Sequence, residues 1–163
     1  MKAIELVETG GPEVLQLRET PIPTPGDGEV LIRVAASGVN FIDLHVREGR
    51  YGNKPLFIAG QEAAGTVVAL GADVSYLHEG DRVASCSVLG TYSEDALAPA
   101  SRVVPLPADI SFEQAAAVLL QGMTAHYLSY SAYRIQSGDE VLIHAGAGGT
   151  GLLLTQMAKL RGA

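Results

Sequence analysis

The feature that most constrains the fold is a glycine-rich turn near the end of the chain, Gly146-Ala147-Gly148-Gly149-Thr150-Gly151. The apolar segment 140–144 before it predicts a buried strand, and the segment 151–161 after it predicts a helix. A strand, a glycine turn and a helix in this order are typical of the opening of a dinucleotide-binding fold. We therefore expect this chain to carry only the beginning of such a fold, preceded by a separate domain.

Each part of this turn has a physical use in binding a pyrophosphate. Gly146 and Gly148 lack side chains that would block the phosphate, and Gly151 lets the helix pack closely on the strand. The helix N-terminus adds unpaired N–H groups and a partial positive charge. We predict that the cofactor contacts Gly146, Ala147, Gly148, Gly149, Thr150 and Gly151. The alternative is an ordinary glycine-rich turn, because this motif alone is weak. The residue that selects NAD or NADP is expected about 20 residues further on, beyond Ala163.

The earlier part of the chain predicts a small barrel or sandwich of short strands. Alternating apolar residues and frequent turn residues indicate strands at 14–18, 29–35, 66–70, 81–84 and 91–98. The period becomes helical at 40–47. Ser111 and Gln114 have the spacing of a capping box that opens another helix, and a further helix is predicted to begin at Thr124.

Composition excludes several classes of protein. The 163 residues carry a formal net charge of -7 and no run of basic residues, which argues against a nucleic-acid partner. No apolar run reaches the roughly 20 residues that a membrane span requires. Acidic residues interrupt the first apolar stretch, unlike a secretory signal, and the single Cys86 cannot form an internal disulfide. We expect a cytoplasmic protein.

Several segments together resemble the N-terminal half of zinc-free quinone oxidoreductases of the zeta-crystallin type, in the medium-chain dehydrogenase/reductase superfamily. The matching segments are 10–15, 28–31, 38–43, 60–65, 80–83, 121–125 and 141–151. The resemblance implies a β-rich, GroES-like catalytic domain (α+β) at 1–125. It also implies the start of an incomplete dinucleotide-binding Rossmann α/β domain at 126–163.

The residues at the positions of the metal ligands predict no metal site. Catalytic zinc needs about three ligands from Cys, His or carboxylate side chains. Zinc-dependent relatives have Cys where this chain has Asn40 and His where it has Gln61. The segment 117–121, near their third ligand, has neither Cys nor carboxylate, and one Cys cannot build their four-cysteine lobe. The four histidines are scattered without ligand spacing.

Catalysis without a metal must then depend on positioning and on hydrogen-bond donors for the developing oxyanion. By resemblance, the catalytic pocket is lined by Asn40, Asp43 and Tyr51, and the cofactor also contacts Tyr51, Thr124 and Tyr127. Other interpretations remain open, since Asn40 suits a helix N-cap, Tyr51 a loop, and Thr124 and Tyr127 a packed helix. His45 replaces a Tyr of some relatives, which leaves substrate selection open.

The function implied by the resemblance is reduction of quinones or related conjugated carbonyls such as enones by NADPH, with NADH not excluded. The family commonly forms homodimers. Transfer of a hydride and of single electrons both remain possible mechanisms. The segment 1–163 alone is expected to be inactive. The alternative is a non-catalytic, nucleotide-responsive binding or structural protein, because one fold can host several functions.

Overall fold

The computed structural model describes residues 1–52 and 55–163. It divides into two compact units, Met1–Ala117 and Val118–Ala163. The first unit is rich in strands, and the second is helical. The expected domain boundary between residues 125 and 126 stays a prediction.

Two antiparallel sheets build the first unit. The smaller sheet has the order β2-β1-β4, and the larger has the order β7-β3-β5-β6-β8. The strands are β1 (Lys2–Leu6), β2 (Leu15–Glu19), β3 (Glu29–Gly38), β4 (Phe57–Ile58), β5 (Glu62–Leu70), β6 (Arg82–Ser85), β7 (Asp95–Pro99) and β8 (Val104–Pro105). The predicted strands at 14–18, 29–35, 66–70 and 81–84 are confirmed within a few residues. The strand predicted at 91–98 is shorter, because pairing with β3 begins at Asp95.

The larger sheet is held by a core of small and branched side chains. Strand β3 buries Val30 and Ile32 completely or almost so, and Val67 and Val83 of the neighbouring strands pack against them. Burying one such side chain stabilises the fold by about 1.5–3 kcal/mol relative to exposure. This core fixes β5, whose first residue Glu62 lies at the candidate site.

A short helix, α1 (Phe41–Arg47), follows β3 and confirms the helical prediction for 40–47. Asn40 is its N-cap, and the carboxylate of Asp43 accepts a hydrogen bond from the Asn40 backbone N–H at 2.8 Å. This bond pairs a main-chain donor beside the helix start. Val46 is buried, whereas Phe41 is 73% exposed, so only part of the predicted apolar face packs on the sheets.

The next helix, α2 (Phe112–His126), is longer and begins with the predicted capping box. The Ser111 N–H donates to Gln114 Oε1 at 2.9 Å, and the Gln114 N–H donates to Ser111 Oγ at 3.2 Å. The prediction of a separate helix beginning at Thr124 is wrong. The helix runs on without a break, because Gly122 lowers helix propensity but fits a helical backbone. A wider, π-helical turn, Tyr127–Ala132, continues it.

The predicted strand at 140–144 is not formed. A strand is held by pairing with neighbours, and in the described part of the chain no strand pairs with this segment. Its side chains are therefore not buried, with Val141 40% and Leu142 84% exposed. The helix predicted after the glycine turn is confirmed as α3 (Gly149–Leu160). None of the described helices combines the length and apolarity that crossing a bilayer requires.

Candidate active site and dinucleotide-binding turn

The start of α1 carries a buried pair of polar side chains. Asn40, 6% exposed, donates a hydrogen bond from Nδ2 to Glu62 Oε2 at 2.7 Å. Glu62 is only 1% exposed, so its carboxylate depends on protein donors instead of water. Asn40 is thus the N-cap residue of α1, and its side chain also reaches across to β5. The N-cap interpretation of Asn40 is confirmed, and its pocket role stays a prediction.

The carboxylate of Asp43 joins this pair to a tyrosine. Asp43 Oδ2 accepts from the Asn40 backbone N–H and from Tyr92 Oη, both at 2.8 Å. Burial, then the hydrogen bond to Asp43 and the charges of Asp43 and Glu62, raise the pKa of Tyr92 well above its ordinary value. The phenol therefore stays protonated and remains a donor at neutral pH.

A cavity of about 270 Å³ lies beside these residues. For comparison, an apolar cavity of about 150 Å³ holds benzene, so this one has room for a molecule with one or two rings. Apolar side chains dominate the wall, and Asp43, Arg47, Gln61 and Tyr92 bring polar or charged groups to it, whereas Asn40, Glu62 and Tyr51 are not among the described residues that line it. The remaining lining residues are Leu6, Leu15, Val39, Leu44, Val46, Phe57, Ala59, Gly60 and Leu89.

Tyr51, the third residue predicted for the pocket, lies in the turn after α1, and its ring is near two aromatic rings of that helix. Its ring centroid is 6.5 Å from that of His45, which in turn meets Phe41 edge-on at 5.1 Å. The Tyr51 residue is 60% exposed. The structure thus brings Asn40 and Asp43 together. Among the contacts of the described residues, none joins Tyr51 to either.

Two residues of this site were not predicted from the sequence as site residues, Glu62 and Tyr92. Glu62 belongs to a segment that the family resemblance included, but the pattern gave no reason to pair it with Asn40. Tyr92 lies far from Asp43 in sequence and looks like an ordinary strand aromatic. No local sequence signal connects either residue to α1.

The glycine turn in the second unit separates its glycines into two kinds. A Cβ at Gly151 would stand 2.2 Å from the carbonyl oxygen of Ala145, so this glycine is required by packing. A Cβ at Gly146 would meet only Ile143 O at 3.8 Å, and one at Gly148 only Ala145 O at 3.3 Å. The first contact is an ordinary one, so a Cβ at Gly146 would have room, whereas the second is tight against the backbone, so packing also restricts Gly148. The first turn of α3 adds N–H groups without partners inside the helix, so the turn fits a phosphate.

Thr124 and Tyr127 lie on the helical part of the second unit. The Thr124 hydroxyl donates to the Leu120 carbonyl oxygen at 2.8 Å, which is a bond within its own helix. Tyr127 is 59% exposed and borders an open apolar groove. The α2 residue beside the glycine turn is Gln121, because a Cβ at Gly149 would stand 1.9 Å from its Oε1. The sequence analysis did not predict that Gln121 lies beside the turn.

Within residues 1–52 and 55–163, no group of three or more His, Cys, Asp or Glu side chains is arranged to hold a metal ion. The residues at the two expected ligand positions, Asn40 and Gln61, are both amides. Asn40 uses its amide as a hydrogen-bond donor to Glu62.

Residues 26–108, half of the chain, match the alcohol dehydrogenase GroES-like domain family. The chain belongs to this family, within the medium-chain dehydrogenase/reductase superfamily. The predicted fold class, a GroES-like β-rich domain followed by the start of a Rossmann-like part, is confirmed.

The relatives share this half of their chains with the protein. Quinone oxidoreductase of Pseudomonas aeruginosa is 44% identical over 163 residues, which cover 99% of this chain and 50% of that protein. The human quinone oxidoreductase is 39% identical over 166 residues, again with 99% and 50% covered. The crystal structure of Escherichia coli quinone oxidoreductase complexed with NADPH is 42% identical, with a TM-score of 0.97, and the match covers 100% of this chain and 51% of that one. The chain therefore spans about half the length of the relatives it matches, and the predicted resemblance to the N-terminal half of quinone oxidoreductases is confirmed.

Proposed function

We propose that the full-length protein containing this chain is an NADPH-dependent reductase of quinones or related conjugated carbonyls that works without a metal. The observation that carries the proposal is a hydrogen-bonded group in which Asn40 and Glu62 are buried and the half-buried Asp43 and Tyr92 line a mostly apolar cavity. Apolar pockets with a few placed polar groups are typical of small-molecule sites. The quinone oxidoreductases that match this chain over half of their own length support the same function.

The glycine turn is the proposed binding site for the cofactor pyrophosphate. Gly146 and Gly148 place no side chain in the way of a phosphate, and the α3 N-terminus favours an anion through its N–H groups and dipole. When bound, the nicotinamide supplies the reducing hydride. NADPH is the preferred cofactor in the proposal because it is the one named for the Escherichia coli relative. The further contacts proposed for the cofactor are those of Thr124, Tyr127 and Tyr51.

Asn40 is the proposed donor to the substrate oxygen. Reduction of a carbonyl builds negative charge on that oxygen, which a fixed N–H group stabilises. A side-chain amide has two N–H bonds, and Glu62 accepts one of them. The Glu62 contact orients the amide, so its second N–H has a defined direction. Tyr51, an exposed residue whose ring lies 6.5 Å from that of His45, is a second proposed donor.

The apolar wall of the cavity selects a substrate with little polar surface. Leu6, Leu15, Val46 and Phe57 offer no hydrogen bonds, so a strongly hydrated substrate would lose its water without replacement. A flat quinone or an enone carries one or two carbonyl oxygens on an apolar frame. Homodimer formation, which the family resemblance implies, and a cytoplasmic location, which the composition favours, belong to the same proposal.

The test is steady-state oxidation of NADPH by the purified full-length protein with a quinone or an enone. We expect turnover that depends on the second substrate and that survives exhaustive treatment with a zinc chelator. NADH should be used less well. Turnover that the chelator abolishes and zinc restores would contradict the metal-free site. Absence of turnover with every quinone and enone, in a protein that still binds NADPH, would contradict the function itself.

A further inference from the structure

The main chain of Tyr92, a residue that lines the cavity, is held by two backbone hydrogen bonds. Its backbone N–H donates to the Ala59 carbonyl oxygen at 2.9 Å, and its own carbonyl accepts from the Ile4 N–H at 2.8 Å. These bonds tie the main chain of Tyr92 to two different segments of the first unit. The starting point of its side chain is therefore fixed.

The ring of Tyr92 occupies a place that a glycine leaves free. Gly60 has a φ of +91°, a conformation that side-chain-bearing residues rarely adopt. A Cβ at Gly60 would stand 2.4 Å from Tyr92 Cδ1 and 2.5 Å from Thr91 Oγ1. The Tyr92 ring thus lies directly against the Gly60 backbone, which limits the positions its hydroxyl can take.

The hydroxyl so placed meets the oxygen that also caps α1. Tyr92 Oη and the Asn40 backbone N–H both donate to Asp43 Oδ2 at 2.8 Å. The other oxygen, Asp43 Oδ1, is buried and has no hydrogen-bond partner among the described residues. Rotation of the carboxylate about its own axis is therefore restrained by these two bonds on one oxygen, and Tyr92 provides the one that comes from outside the helix.

We propose that Tyr92 is a positioning residue for the reductase site: through Asp43 it fixes the first turn of α1 and with it the amide of Asn40. The inference rests on the proposed function, in which the Asn40 amide donates to the substrate oxygen. Tyr92 needs no contact with the substrate in this role. It acts because small displacements of a catalytic donor are costly, about 100-fold for a shift of about 1 Å.

The test uses Tyr92→Phe in the full-length protein, which removes the hydroxyl and keeps the ring against Gly60. We expect kcat for the quinone to fall about tenfold, a partial loss of positioning, while KM for NADPH stays within about twofold because the glycine turn is untouched. The matched control is Tyr76→Phe, because the Tyr76 hydroxyl also donates to one acceptor, the Ala100 carbonyl oxygen, in the same unit. The control variant should keep the wild-type kcat. Equal kcat in Tyr92→Phe and the control would overturn the proposal.

A double-mutant cycle separates action through Asp43 from an independent effect. If Tyr92 acts through Asp43, adding Tyr92→Phe to Asp43→Ala should change kcat by less than about twofold, whereas independent effects multiply. Multiplying losses would overturn the proposal.

The wild type, Tyr92→Phe, Asp43→Ala and the double variant are also unfolded with denaturant, which reports the coupling without cofactor or turnover. An inactive wild type would refute the proposed function alone. Additive unfolding free energies would refute the Tyr92–Asp43 coupling whatever the activity.

Discussion

At the scale of single residues, Asn40 and Glu62 are both polar and almost fully buried, so each depends on hydrogen bonds inside the protein. A buried acceptor that loses its donor costs about 1–3 kcal/mol, more than the net value of an average hydrogen bond. The pair therefore combines a structural requirement with the proposed role in catalysis.

Replacing Asn40 by Ala should lower the free energy of unfolding by about 1–3 kcal/mol, since Glu62 loses a donor in a buried place. It should also lower kcat, because the amide that donates to the substrate oxygen is gone. Denaturant unfolding and steady-state kinetics of the full-length protein measure the two effects. The control is Gln16→Ala, which removes an exposed hydrogen bond to Arg18 and should change neither. An Asn40→Ala protein with wild-type kcat would argue against the donor role.

Tyr92 should also make stability depend on pH in the alkaline range. The folded protein raises the Tyr92 pKa above its ordinary value of 10.0, so the folded state binds this proton more tightly than the unfolded chain. The contribution is complete below the ordinary value and is lost as pH rises above it. Unfolding free energies measured on both sides of that value should fall with rising pH more steeply for the wild type than for Tyr92→Phe. Parallel pH dependences would contradict the interpretation.

At the scale of the elements, the glycines of the turn before α3 look alike in the sequence but differ in the room that a side chain would have. Gly151 is required by the Ala145 carbonyl oxygen, whereas a Cβ at Gly146 would make only an ordinary contact, with Ile143 O at 3.8 Å. The first belongs to packing, and the second to the proposed phosphate site.

The variants Gly151→Ala and Gly146→Ala should therefore fail in different ways. Gly151→Ala forces backbone atoms apart and should lower both the stability of the full-length protein and its affinity for NADPH. Gly146→Ala should keep the melting temperature and weaken NADPH binding, because the methyl group occupies the space that a phosphate needs. Calorimetric titration and thermal unfolding measure both properties. Unchanged NADPH affinity in Gly146→Ala would remove the phosphate site from this turn.

Local patterns were sufficient for most elements and insufficient for contacts between them. The alternation in 29–35, the capping box at Ser111 and the helix after the glycine turn each depend on neighbours in sequence, and each of these elements is confirmed. The strand at 140–144 needs a pairing partner, so its apolar sequence could not establish it. Contacts such as Asn40–Glu62 and Asp43–Tyr92 join residues from separate segments, and no spacing rule connects them.

At the scale of the whole molecule, the second unit, Val118–Ala163, exposes several large apolar side chains. Leu142 is 84% and Leu160 is 87% exposed, and Leu152 is 53% exposed. Large apolar side chains exposed to this extent favour association when they face a partner surface.

A polypeptide of residues 1–163 should therefore associate with itself, and the full-length protein should do so less. Light scattering over a range of concentrations compares the two. Replacing Leu142 and Leu160 by Ser should reduce the association of the short form, whereas replacing the exposed Leu17 of the first unit should not. A short form that stays monomeric at high concentration would refute this expectation. The predicted inactivity of the short form can be checked on the same samples.

The central claim, a metal-free NADPH-dependent reductase, is tested most directly by a single turnover. The metal-depleted full-length protein is loaded with NADPH and mixed with a quinone in the absence of oxygen, while NADPH absorbance and hydroquinone are followed together. We predict that NADPH disappears and hydroquinone forms in equal amounts, and that Asn40→Ala slows both. Bound NADPH that persists beside an unreduced quinone would contradict the account.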